Sequence, residues 1–242
     1  LERHDGPPPT RSAVLVPLSH GHIRIGSVQR RAALDVKDEL AKLVDYSLAL
    51  YPGPNAPDGA PGADEPAVIL MHQVVERMAD LAASYMVSGF VHGVLNTDNM
   101  NISGESFACG PWRWLPTWDQ FFTAAYFDHE GLYAFGRQPE ALSWNCAQLA
   151  IALRTIAEAP PLVAALERFG PLYQANLARR FLWRLGVKPR EQERDLNVVV
   201  AGEALMREQH LQPDAFFFSH RGARGTTGPF ADSLEVYGAL DS

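Results

Sequence analysis

Apolar residues recur at helical spacing through "VQRRAALDVKDELAKLVDYSLALY" (28–51), with charges on the opposite side, and the pattern predicts one amphipathic surface helix. Four prolines and three glycines then fall within the thirteen residues of "YPGPNAPDGAPGA" (51–63), a composition that predicts a loop. A long helix is expected next, with Asp64 as N-cap, Pro66 in the first turn and a stop at Gly89. Met71, Val74, Val75, Met78, Leu81, Ala82 and Tyr85 would form its apolar face. Between 90 and 137 the periodicity vanishes. Aromatic residues, Gly and Pro alternate there with short apolar pieces, and short β-hairpin pieces are expected around 90–115. Pro139 opens another helical pattern, "PEALSWNCAQLAIALRTIA". One or two helices follow to Leu185, then a stop from Gly186 to Pro189 and a helix near 192–210. The expected fold is mainly α with short β elements. Its expected divisions are an N-terminal segment with one amphipathic helix and a Pro/Gly-rich loop (1–63), a core (64–158) and a helical extension (159–242).

At 242 residues the chain is long enough to bury a full core. Its apolar runs, such as "AVILM" (67–71), fall far short of the roughly 20 residues of a membrane span, so no membrane partner is expected. The opening "LERHDGPPPT" has no apolar signal region, and a first residue other than Met suggests a fragment. Cytoplasmic localisation is the default expectation. A formal charge of −7 argues against a nucleic-acid partner, which would call for a basic face. Of the 21 cations only Lys37, Lys42 and Lys188 are lysines. Cys109 and Cys146 form neither a CxxC pair nor a metal spacing and read as reduced thiols. The aromatic group Trp112, Trp114, Trp118, Phe121 and Phe122 reads as core, because large aromatics dominate burial. The arginines of "RRFLWR" (179–184) and "HRGAR" (220–224) read as solvated.

The stretch with most chemical content is "GFVHGVLNTDNMNISG" (89–104), where Asn96, Thr97, Asp98 and Asn99 interrupt an apolar segment after a long helix. Protein kinases and aminoglycoside phosphotransferases carry a loop in which His precedes a catalytic Asp by two positions and a magnesium-binding Asn by seven. Here His92 and Asn99 keep the seven-residue spacing, but Val94 stands at the Asp position and the carboxylate is at Asp98. That displacement argues against a small-molecule phosphotransferase. On spacing alone a simpler reading is preferred, in which Asp98 and Asn99 tie a turn together.

The strings "GFVHGVLNTDNMNISGESF", "GPWRWL", "TWDQFF", "GLYAFGRQP" and "WNCAQLAIAL", preceded by "SHGHIRIGS" (19–27), resemble the C-lobe portion of the selenoprotein O family. The resemblance runs over about residues 13 to 155, with a looser tail. It implies a protein-kinase-like fold whose members bind ATP and Mg²⁺ in an inverted orientation and transfer AMP to Ser, Thr or Tyr hydroxyls of protein substrates. Residues 64–158 would then be the kinase-like C-lobe core with its catalytic-loop remnant. Asp98 matches the family's loop Asp, a base toward the incoming hydroxyl or a metal ligand, and Asn99 matches the amide that coordinates magnesium. Arg24 matches an Arg close to the nucleotide phosphates, a role that suits a permanent fork donor; the alternative is a surface ion pair. His92 is expected to support the loop. Asn96 is expected to support it too, the alternative being that Asn96 touches metal.

Three departures from the family pattern bear on activity. Its second metal ligand, an Asp in a string like F/I-D-Y-G-P, falls in "FACGP", where Ala108 cannot ligate and Cys109 is a soft thiol poorly matched to magnesium. Pro17 stands where the family carries another Arg. No Gly-rich loop precedes residue 89 and no lysine precedes Lys37, so the N-lobe is apparently missing. The expected function is therefore a selenoprotein O-like adenylyltransferase, truncated and degenerate, with weak or no activity. The alternative is a non-catalytic lobe that binds nucleotide or a partner.

Overall fold

The computed structural model describes residues 18–106, 110–223, 228–234 and 237. Among these residues the protein is mainly helical, with one small sheet. Helix α3 (Pro66–Ser88) is the axis of the fold: α2 (Lys37–Leu50), α4 (Gln138–Leu153), α5 (Ala159–Glu167) and α6 (Phe169–Leu185) all pack on it. All seven residues of its expected apolar face are buried. So are Leu70, Ala79, Ala83 and Met86, so the helix is enclosed nearly all round. Pro66 sits in its first turn and Gly89 ends it at φ 70°, the left-handed conformation that glycine adopts without strain.

The single helix expected over 28–51 is two, α1 (Ile25–Ala33) and α2, broken at Asp35, whose φ is 53°. The Val36 N–H reaches back to Arg31 O (3.2 Å), the 6→1 bond of a Schellman ending, with Asp in place of the usual glycine. Strand β1 (Phe90–His92) pairs antiparallel with β2 (Trp112–Trp114), Val91 opposite Arg113, within the region expected to hold hairpin pieces. Beyond α6 lie α7 (Gln192–Glu208), α8 (Pro213–Ser219) and α9 (Gly228–Leu234). One apolar cluster joins α1, α2, α4 and α5 to α3, and a second joins the end of α3 and β1 to α6, α7, α8 and α9.

The core reading of the aromatic group fails for three of its five members. Trp118 is buried, but Trp112, Trp114 and Phe121 are 38%, 54% and 86% exposed. Both tryptophans lie on the two-stranded hairpin and rest on Phe90, at ring-centroid distances of 5.8 and 5.3 Å. The arginines of 179–184 are also not simply solvated. Arg180 grips Asp80 of α3 through both Nε and Nη2, Arg179 joins the same carboxylate, and Arg184 pairs with Asp214. Burial pushes the Cys146 thiol up to about 12, so it behaves as an apolar core group; Cys109 lies outside the described residues.

Between α6 and α7, burial pushes the Glu203 carboxyl from 4.5 up to about 7, with Arg207 pulling the other way, and Glu203 in turn helps to raise the Tyr173 phenol. The folded protein therefore holds this proton more tightly than the unfolded chain. Its stabilising contribution is full below about pH 4.5 and is lost as pH rises through about 7. Glu203→Gln should raise the melting temperature at pH 8, by an amount corresponding to at most about 3 kcal/mol, and change little at acid pH. Thermal unfolding at both pH values checks this; an equal shift at both would refute it.

Candidate functional site

The loop begins where β1 ends, and buried side-chain amides fix it. Gln138, at the start of α4, accepts the His92 N–H (2.9 Å) and donates to Phe90 O (2.9 Å), so one amide serves an N–H and a carbonyl of the strand. His92 is fully buried, and its Nδ1 accepts the Val94 N–H (3.2 Å), as expected of a supporting residue. The next two carbonyls are held from opposite sides. Asn99 donates to Val94 O (2.8 Å) and Asn145 of α4 to Leu95 O (2.8 Å).

Asn96 then caps a single 3₁₀ turn, Thr97–Asn99: its Oδ1 accepts the Asp98 N–H (3.2 Å) and its carbonyl the Asn99 N–H (3.0 Å). The turn leaves Asp98 exposed. Because Asn99 spends its N–H on Val94, its amide oxygen remains an acceptor. Asx residues do tie this loop, as the simpler reading has it: Asn99 does so through Val94 O, and Asn96 joins it by capping the turn.

The far side of the loop is docked on the start of α1. Ile25 N–H donates to Met100 O (2.9 Å), Ile102 N–H donates to Ile23 O (3.0 Å), and Arg24 lies opposite Asn101 in an antiparallel bridge. Asn101 is fully buried, donates to Gly21 O and accepts the Ser103 N–H. Arg77 of α3 supports the exit, donating to Ile102 O (3.2 Å) and Tyr51 O (2.8 Å). Glu105 accepts from His20 (2.8 Å) and Ser103 (2.7 Å); burial pushes its carboxyl up, but these hydrogen bonds outweigh that and hold it below the usual value. Arg24, Asp98 and Asn99 are thus gathered at the N-terminal end of α1. Pro17 and Ala108 lie outside the described residues.

The Asp98 carboxylate and the Asn99 amide oxygen are both hard donors, the kind that magnesium takes. No group of three or more His, Cys, Asp or Glu that could hold a metal is present among the described residues. Asp98 and Asn99 would offer an ion at most two side-chain oxygens, and its remaining ligands would have to be phosphate oxygens and water, as is usual for magnesium.

A family model described as "Protein adenylyltransferase SelO" matches residues 1–227. The chain belongs to the SelO family. Proteins named "Protein nucleotidyltransferase YdiU" from Synechocystis sp. and Gloeobacter violaceus are 38% and 42% identical to it, over 191 and 187 residues. Each match covers 77% of this chain, and 39% and 38% of those relatives. The namesake from Pseudomonas entomophila is 34% identical over 226 residues, 93% of this chain and 44% of its own. The chain spans about two-fifths of the length of the curated relatives it matches.

The fold joins what the sequence holds far apart, since "SHGHIRIGS" and "NTDNMNISG" pair through the bridge between Arg24 and Asn101. Gln138, Asn145, Asn101 and Arg77 were not foreseen as loop supports. The one signal available was an amide within an otherwise apolar helical pattern, as in "WNCAQLAIAL".

Proposed function

We propose that this chain bears the nucleotide- and metal-facing loop of a SelO-type protein adenylyltransferase, carried on a kinase-like lobe that occupies its central part. The observation that supports the reading is the turn itself. An exposed Asp98 and an oriented Asn99 follow one another on backbone whose carbonyls and N–H groups are held by the side chains of half-buried Asn96 and Asn99 and of buried Asn145. Rigid placement of this kind is what nucleotidyl and phosphoryl transfer need, since positioning and charge stabilisation supply most of the acceleration.

In this reading Asp98 and Asn99 hold Mg²⁺, Asp98 also takes the proton from the incoming Ser, Thr or Tyr hydroxyl, and Arg24 meets the ATP phosphates. The ion, when bound, supplies positive charge to the phosphates. The hydroxyl oxygen bonds to the α-phosphorus and pyrophosphate leaves. Ala108 removes one expected ligand and Pro17 one expected cation, so transfer by this chain alone should be weak or nil. That sequence change is also what favours the second reading, a lobe that binds nucleotide or a partner without catalysis.

Incubation with Mg²⁺ and ATP labelled at either the α- or the γ-phosphate tests the proposal. Trace protein labelling at most is expected, from the α-label only, and Asp98→Asn should abolish it. Transfer of γ-label would contradict AMP transfer. Robust α-labelling would contradict the loss assigned to Ala108.

A further inference from the structure

Gly26 lies in the first turn of α1, in a regular helix and outside the left-handed region, so nothing in its backbone calls for glycine. Alanine would favour the helix more. What excludes it is space. A β-carbon at this position would overlap Asp98 Oδ1 and stand 3.1 Å from Asp98 Cγ and 3.6 Å from Asp98 Cα. The carboxylate occupies the volume that any side chain at residue 26 would fill.

We infer that Gly26 is a positioning residue: its missing side chain fixes where the Asp98 carboxylate stands. Both backbones are tied down, α1 by Ile25 N–H to Met100 O and Ser27 N–H to Arg24 O, and the turn by the two bonds to Asn96. A methyl group at 26 therefore cannot be accommodated by sliding the helix off the loop. The movable part is the Asp98 side chain, which must rotate away from its present place. Gly26→Ala thus displaces the carboxylate while leaving the fold in place. The inference rests on Asp98 being the group that faces metal and nucleotide, and it adds a residue on α1 that touches neither.

Two measurements on the chain test it. The first is affinity for ATP with Mn²⁺ as the probe ion. Gly26→Ala should lower it about tenfold or more, since displacements near 1 Å are costly in such sites. Gly170→Ala, on α6 with open space around it, should leave it unchanged. The second is the melting temperature in a double-mutant cycle with Asp98→Ala. Gly26→Ala should raise it less in the parent chain than once the carboxylate is gone, because only then does the helix gain alanine without displacing Asp98.

Equal rises in both backgrounds would overturn the inference. So would unchanged Mn²⁺–ATP affinity in Gly26→Ala when Asp98→Ala has lost it, a result that would leave the reading of Asp98 standing. If the parent chain shows no Mn²⁺-dependent ATP binding, or Asp98→Ala does not alter it, the function proposed for Asp98 falls, and the positioning role of Gly26 falls with it.

Discussion

Asn145→Asp should lower stability at pH 7 by about 3 kcal/mol or more, a drop of roughly 6–12 °C in melting temperature for a chain of this size. Asn145 is fully buried in α4, and its Nδ2 donates to two carbonyls, Leu95 O at 2.8 Å and Ala141 O at 2.7 Å, while its Oδ1 has no partner among the described residues. A carboxylate there has no N–H to give. It would set negative oxygens against two carbonyls in a place without water, so the group would keep its proton well above the ordinary Asp value near 3.9. With the folded value raised, stability is retained below about pH 4 and lost as pH rises through the folded value. The protonated acid can still donate to Leu95 O. Unfolding of the variant should therefore show a melting temperature that climbs toward acid pH more steeply than the parent's. Asn145→Leu should cost less, about 1–3 kcal/mol with little dependence on pH, because it leaves only an unpaired carbonyl. A pH-independent loss below about 1 kcal/mol in Asn145→Asp would mean that Asn145 does not hold the loop.

Much of this architecture can be read from local chemistry. Pro66 and Gly89 mark the ends of α3 because one tolerates the first helical turn and the other the left-handed exit. Gly186, at φ 68°, does the same for α6. The break at Asp35 is not legible, because both flanking helices are amphipathic and the apolar spacing runs through a turn that lacks the usual glycine. Trp112, Trp114 and Phe121 misled for a different reason: side-chain size predicts burial only where a second layer exists, and the two-stranded hairpin leaves its tryptophans at the surface.

The candidate site divides in the same way. Asp98 and Asn99 stand out as polar residues in an apolar run, and the resemblance attached a role to them. The amides that hold their loop, Gln138 and Asn145, sit 46 and 50 residues from the backbone groups they bind, and no local pattern encodes such distant pairings. The contact between Gly26 and Asp98 is hidden likewise, because a helical glycine signals only what it lacks.

Ala108→Asp should raise Mg²⁺-dependent ATP affinity about tenfold or more, equivalent to about 1.4 kcal/mol per tenfold. The substitution puts a hard anionic oxygen nine residues after Asn99, where the resemblance to the family implies the second metal carboxylate. Without metal the same carboxylate would only repel the phosphates, so affinity measured without the ion should fall or stay level. On the proposed function transfer would also need an N-lobe, so binding should recover before turnover does. Calorimetric titration of the parent chain and the Ala108→Asp variant with ATP, each with and without Mg²⁺, puts Asp98 and Asn99 most directly at risk. A gain confined to the variant in the presence of Mg²⁺ is the expected result. Unchanged or weaker Mg²⁺-dependent binding would mean that this loop is not a metal site, and the functional reading of Asp98 and Asn99 would fail with it.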